Sequence, residues 1–243
     1  QRQMCIRDRL TPEQQRLVWI YYTNFVRSGA KLAPAAKARV AAINTELSGL
    51  FTKFSQNLLA DENTYIELTE ADLAGLPDSI RGSTASAAAQ RKLPGKFIIV
   101  NTRSSVDPYL TNSPVRATRE KVWKAFVNRG DNGGATDNNA LIAKILKLRA
   151  ERAKLLGYPT HAHWRLENAM AKTPDKAMAL MEAVWTPAIE QVAKDVADMQ
   201  AIVDAEGGGF KIEPWDYRFY AEKVRKAKYD LDMNEVKPYM QLE

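Results

Sequence analysis

Two histidines and a glutamate lie close together in the stretch GYPTHAHWRLENAMAKTP, residues 157–174: His161, His163 and Glu167. These residue types ligate zinc or carry protons, so their spacing decides whether they act together. Two ligands on one helix share a face when they are three or four residues apart. His161 and His163 are two apart, and at 3.6 residues per turn their side chains diverge by roughly 200°. A zinc-hydrolase helix uses H-E-x-x-H instead, which aims both imidazoles at one ion. Only a strand would bring the pair together, and the local signals oppose one. Gly157 stops the preceding apolar-periodic run, Pro159 blocks its continuation, and Thr160 is placed to N-cap a new helix reaching about Ala171. His163 and Glu167 stand at i and i+4, but they make half a zinc site at most. The stretch is read as a helix face, and no catalytic, cofactor-binding or metal-binding residue is assigned in the chain.

Other chemistries fare no better. The chain has no P-loop, no G-x-G-x-x-G after a strand, no G-x-S-x-G and no C-x-x-C. Near the C-terminal end, Trp215 and Phe219 are interleaved with Arg218, Lys223, Arg225, Lys226 and Lys228, a composition that suits stacking on nucleic acid. The i, i+4 spacing of the two aromatics favours joint burial instead, and Glu222 and Asp230 dilute the basic face. No nucleic-acid partner is expected. The net charge of +6 comes from 35 basic residues interspersed with 29 acidic ones, the pattern of solvated helix faces. No run approaches the roughly 18 apolar residues of a membrane span. A single cysteine, Cys5, excludes an intrachain disulfide framework and suits a reducing compartment.

The elements that would position these residues read as helices. Thr11-Pro12-Glu13-Gln14 combines an N-cap, a proline at the first position and a glutamine at the third, opening a helix toward Ser28-Gly29. A second helix starts near Pro34 with Ala36, Val40, Ile43, Leu47, Leu50, Phe54 and Leu58 on one stripe. The two are expected to pack as an antiparallel hairpin turning at Gly29 to Lys31. TYIEL and KFIIVNT predict strands at about 64–68 and 96–102, with a Thr69/Asp72 capping box and a possible helix in TASAAAQRK between them. After Pro114, VRATREKVWKAFVNRG predicts a helix with Val122, Ala125 and Phe126 on one side. Asp137 is placed to cap a helix carrying Leu141, Ile145, Leu148 and Leu155. Thr173-Pro174-Asp175 opens the longest helix, with Leu180, Val184, Ile189, Val192, Val196, Met199 and Val203 inward and a kink at Pro187. The last helix starts at Pro214 and Trp215, with Trp215, Phe219 and Ala227 on one face. Fold class is therefore mainly α: a bundle of long helices with a small β element near residues 64–102. Residues 1–9, QRQMCIRDR, lack both apolar periodicity and the apolar core of a signal peptide, and read as a non-native leader.

Blocks of this sequence resemble one family in the family's own order. LPGKFIIVNT leads into VRATREKVWKAF, then LRAERAKLLGYPTHAHWRLENAMAKTP, then WDYRFYAEKVRKAKYDLDMNEVKPYMQLE. Together they resemble the zinc metallopeptidases that include thimet oligopeptidase, neurolysin, oligopeptidase A and peptidyl-dipeptidase Dcp. The AEKVRKAKYDLDMNEVKPY segment is most similar to the Dcp branch. The likeness runs from about residue 11 to the end. It implies a zinc-dependent enzyme that hydrolyses short peptides, releasing dipeptides from C-terminal ends, in which residues 10–243 form a helical channel wall that excludes folded proteins. In that family two histidines of H-E-x-x-H and a downstream glutamate hold zinc, and the motif glutamate activates water. None of that motif occurs here, so the chain is expected to be a fragment truncated before the catalytic region and inactive alone, with zinc belonging to the intact parent. His161, His163 and Glu167 align with a scaffold helix. The expected compartment is the cytoplasm, with the periplasm as the alternative; the competing functional expectation is a standalone helical scaffold or interaction protein.

Overall fold

The computed structural model describes residues 10–229 and 237–240. Residues 1–9, with Cys5, the D-L-D-M-N-E-V run at 230–236 and residues 241–243 lie outside the described residues. In chain order the elements are α1 (Pro12–Arg27), α2 (Pro34–Glu62), β1 (Tyr65–Leu68), α3 (Asp78–Gln90), β2 (Phe97–Val100), α4 (Arg103–Asn112), α5 (Arg116–Val127), α6 (Asn139–Leu155), α7 (His161–Leu166), α8 (Pro174–Ala205) and α9 (Tyr217–Tyr229), with single tight turns of helix at Glu70–Leu73 and Lys237–Met240. Among the described residues the chain is mainly helical with one small sheet, as expected. It divides into two compact units: residues up to Phe54 with Asn139–Glu182, and Ser55–Asn138 with the residues from Ala183 onward.

In the first unit α1 starts as its sequence requires. The Thr11 hydroxyl accepts from the Gln14 amide at 3.3 Å, and the Gln14 side chain accepts from the Thr11 amide at 3.0 Å. The three-four stripe of α2 buries Ile43 and Leu47 against Ile145 and Leu148 of α6, with Leu50 and Leu155 at the margin. The expected packing of the first two helices as a hairpin is corrected, because α1 buries none of its residues. Leu17 to Tyr22 are six consecutive apolar or aromatic residues. They surround the helix instead of forming one face, and the stripe of α2 is taken by α6. Helix α6 begins at Asn139, two residues after Asp137, and the Asp137 carboxylate accepts the Gly133 amide at 2.9 Å, closing the preceding loop.

In the second unit β1 and β2 pair antiparallel, Tyr65 opposite Val100 and Leu68 opposite Phe97. Their inner face joins Leu73, Val106, Tyr109, Leu110 and Val122 in one apolar cluster. The turn before α3 closes through Asp72, whose carboxylate accepts the Thr69 amide at 2.8 Å. Three members of the cluster come from α4, a helix that sequence reading missed because Pro108 lies inside it. The N–H that Pro108 lacks would have reached Ser104, an exposed residue whose carbonyl is free to meet water. A separate cluster forms where Met199 and Val203 of α8 meet Tyr220 of α9.

The α8 stripe is correct only in its C-terminal half. Val196, Met199 and Val203 pack inward, whereas Leu180, Val184, Ile189 and Val192 are exposed. The helix continues through Pro187. In α9 the inward residues are Phe219, Tyr220, Ala221 and Val224. Ala227 is exposed, and Trp215 lies in the turn before the helix.

Candidate functional site

Helix α7 is shorter than its sequence suggested, ending at Leu166 instead of near Ala171. Lys172 then takes a left-handed conformation, φ 61°, just before Pro174 opens α8. Thr160 does cap α7. Its hydroxyl accepts from the His163 amide at 3.3 Å and lies 2.8 Å from His163 Nδ1. Glu167 is engaged elsewhere: it accepts from the Tyr158 hydroxyl at 2.6 Å and pairs with Arg27 Nε at 2.9 Å. Burial, then the Glu167 carboxylate, pushes the Tyr158 phenol up, which keeps it a donor. Trp164 fastens α7 to α1, its indole N–H donating to the Arg27 carbonyl at 3.1 Å while Arg27 donates back to the Trp164 carbonyl. His161 lies against the Trp164 ring at 5.4 Å, and its Nδ1 is buried without a hydrogen-bond partner. Burial and the charges of Arg149, Arg152 and Arg165 hold its imidazole below the ordinary value of 6.5. The three residues singled out by type thus have three different sets of neighbours. Among the described residues no group of three or more His, Cys, Asp or Glu is placed to hold a metal ion. A cationic surround also opposes a second cation, so these residues do not fit the zinc of the resemblance.

The W-D-Y segment builds a different centre. Asp216, fully buried, accepts from Arg119 Nη2 at 2.7 Å and from Arg116 through Nε and Nη2 at about 3 Å. Arg119 is 1% exposed; its Nη1 and Nε donate to the carbonyls of Ser113 at 2.8 Å and Trp215 at 3.2 Å. The two arginines lie one turn apart on α5, so both guanidiniums reach a single carboxylate. Trp215 meets Trp123 of the same helix edge-on at 5.8 Å. Phe219 does not bury beside Trp215; it packs on Tyr220 at 5.2 Å. The backbone amide of Tyr220 bonds to the Asp216 carbonyl, so the knot also fixes the start of α9.

Beside this knot opens a cleft of about 710 Å³ whose walls include Trp123, Val196, Ile212, Pro214 and Tyr217. Its charged rim is internally matched: Arg218 pairs with Asp107 at 3.1 Å, and Arg225 with Glu222. Two further cations of α9 have carboxylate partners, Lys223 with Glu206 and Lys228 with Asp198. Such a surface can seat an apolar or aromatic segment. It presents no nucleophile beside a base. Sequence reading found the aromatics here but missed Asp216, whose partners lie 97 and 100 residues upstream.

A mainly helical fold braced by the buried Arg119–Asp216 pair is the class that these observations define. The model of peptidase family M3 matches residues 109–243. The chain belongs to that family. It is 38% identical over 235 residues to the dipeptidyl carboxypeptidase of Escherichia coli, covering 96% of this chain and 34% of that protein. It is 33% identical over 247 residues to the probable cytosolic oligopeptidase A of Arabidopsis thaliana, covering 96% of this chain and 34% of that protein. The oligopeptidase A of Escherichia coli is 30% identical over 236 residues, with 95% and 35% covered. The chain therefore spans about a third of the length of these curated relatives, and its higher identity to the dipeptidyl carboxypeptidase bears out the likeness to the Dcp branch.

Proposed function

We propose that the natural polypeptide carrying this chain is a zinc-dependent peptidase of short oligopeptides that releases dipeptides from C-terminal ends, and that residues 10–243 supply its scaffold and channel wall. The observation that carries this reading is the 38% identity that extends over 96% of the chain to a dipeptidyl carboxypeptidase. The absence of H-E-x-x-H from the 243 residues supports a structural role for this part. Zinc ligands and the activated water belong to residues outside this sequence, so no step of the reaction is assigned to side chains described here. Arg116, Arg119 and Asp216 would hold the wall rigid beside the apolar cleft, and rigid walls exclude folded proteins while admitting extended peptides. Among the described residues no helix is long and apolar enough to cross a membrane. The compartment we propose is the cytoplasm, in keeping with one cysteine in the whole chain.

The test compares this chain with the full-length natural polypeptide on a series of N-blocked peptides, with products read by mass spectrometry and metal by elemental analysis. The full-length protein should hold about one zinc, release C-terminal dipeptides and lose activity to a chelator. The 243-residue chain should release nothing and hold no stoichiometric zinc. Internal cleavage without dipeptide release would move the assignment to an endopeptidase. Tight zinc on the short chain, lost in a His161→Ala, His163→Ala variant, would overturn the scaffold reading of α7.

A further inference from the structure

Arg149, Arg152 and Arg165 bring three guanidinium charges to bear on His161 in the first unit, and the ion-paired Arg27 also lies 5.9 Å from the Trp164 ring centre. Arg152 lies 4.8 Å and Arg165 5.7 Å from the Trp164 ring centre, and His161 stacks on the same ring at 5.4 Å. Arg149 stands over Phe51 at 5.1 Å. Three other cations of this unit are paired: Arg27 with Glu167, Arg39 with Glu151, Lys144 with Glu46. Among the described residues no carboxylate pairs with Arg149, Arg152 or Arg165. The Nε–H groups of Arg149 and Arg152 are buried without an acceptor, as is His161 Nδ1. A guanidinium does not shed its proton in a protein, so these two donors cannot be silenced by titration. Arg152 is anchored through Nη1 to Asn44 at 2.8 Å, which leaves its Nε side for another partner. Burial, followed by the charges of Arg149 and Arg165, draws Arg152 below its ordinary value. Half-buried guanidiniums whose Nε–H groups are buried and unmatched call for an anionic acceptor.

Arg149 also lines a slot of about 290 Å³ whose other walls are Phe51, Phe54, Ile142, Ile145 and Leu146. The geometry points to a binding site for an organic carboxylate with an apolar body: the carboxylate accepts from Arg149, Arg152 and His161, and the body fills the Phe51–Leu146 slot. A carboxylate matches the planar guanidinium fork. A phosphate dianion would have to give up more hydration against five apolar walls, which favours the carboxylate.

The test uses the 15N-labelled 243-residue chain and follows the Nε–H signals of Arg149 and Arg152 and the Trp164 indole N–H by NMR. Hexanoate is the probe, with acetate, inorganic phosphate and chloride at matched ionic strength. Hexanoate should shift all three signals and bind about tenfold or more tighter than acetate, because the slot buries several of its methylenes. Arg149→Gln should abolish the hexanoate shift while amide signals distant from the slot stay in place. Leu146→Trp, which fills the slot from an exposed position, should bring hexanoate down to the affinity of acetate and leave acetate unchanged. Phosphate binding in preference to hexanoate would overturn the carboxylate assignment, and no response to any anion beyond that to chloride would overturn the site.

Discussion

With no exposure of its own, Asp216 takes hydrogen bonds from Arg116, Arg119 and the Glu213 amide. Removing the charge strands Arg119, which is equally buried and keeps only two carbonyl partners. Asp216→Asn preserves volume and should still cost about 3–5 kcal/mol, the usual penalty for breaking a buried pair from one side. Arg116 is partly exposed, so Arg116→Gln should cost less, about 1–2 kcal/mol, because water replaces what is lost. Urea unfolding at unchanged slope measures both, and equal losses would contradict the burial argument. His161 makes a pH prediction. Burial and three arginines lower its pKa in the folded state, so between that value and the unfolded 6.5 the unfolded chain binds more protons. The contribution of a neutral His161 is complete above about pH 6.5 and is lost as the pH falls through the lower folded value. His161→Gln should flatten this part of the stability profile; an unchanged slope would show that His161 is not responsible. At this scale the sequence was legible where partners are close in the chain. The divergence of His161 and His163 and the Thr160 cap could be read from spacing. The Asp216 knot could not, since its arginines lie a hundred residues away in a different element.

Local signals specified helix starts better than helix partners. Thr11 and Thr160 cap as their positions demand, and the two strands pair where β-branched runs predict them. Helix α4 was hidden because a proline outweighs local pattern, although Val106, Tyr109 and Leu110 bury the face that holds it in place. The stripe of α8 was legible as periodicity, but periodicity does not say what covers it. The loop between α5 and α6 shows how a polar residue can govern an element junction. Asp61, near the end of α2, accepts from the Gly130 amide at 2.7 Å, Asn132 Nδ2 at 3.0 Å and the Thr136 hydroxyl at 2.6 Å. Gly130 itself sits at φ +71°, where a Cβ would come within 2.9 Å of Asn138 Nδ2 and 3.0 Å of Leu58 Cδ2. Gly130→Ala therefore combines left-handed strain with a clash and should cost about 2 kcal/mol or more. Gly133→Ala shares the positive φ but meets open space, so it should cost only the strain, about 1 kcal/mol. Comparing the two variants by thermal unfolding isolates the close approach. Equal shifts in Tm would mean that the loop moves aside.

At the scale of the whole molecule, long helices among the described residues leave apolar side chains uncovered. On α8, Leu180 is 70% and Trp185 67% exposed, with Val184, Ile189 and Val192 close behind along the helix. On α1, Trp19, Tyr21 and Phe25 are likewise exposed. Monomeric proteins seldom expose contiguous apolar patches beyond a few hundred Å². Burying one leucine or phenylalanine side chain stabilises by about 1.5–3 kcal/mol, so several left in water rival the roughly 5–15 kcal/mol that holds a domain together. The 243 residues correspond to about a third of the related enzymes, and alone they should associate as concentration rises. The helices differ in what their exposure implies. The apolar residues of α8 follow a three-four stripe, which can pair with another such stripe, whereas those of α1 surround the helix. Leu180→Lys with Trp185→Lys should therefore reduce association more than Trp19→Lys with Phe25→Lys. Sedimentation velocity over a concentration series, with circular dichroism to check that helix content is kept, measures the difference. A wild-type chain that stays monomeric throughout would show that these faces do not drive contact, and a larger effect from the α1 pair would reverse the assignment of the adhesive surface.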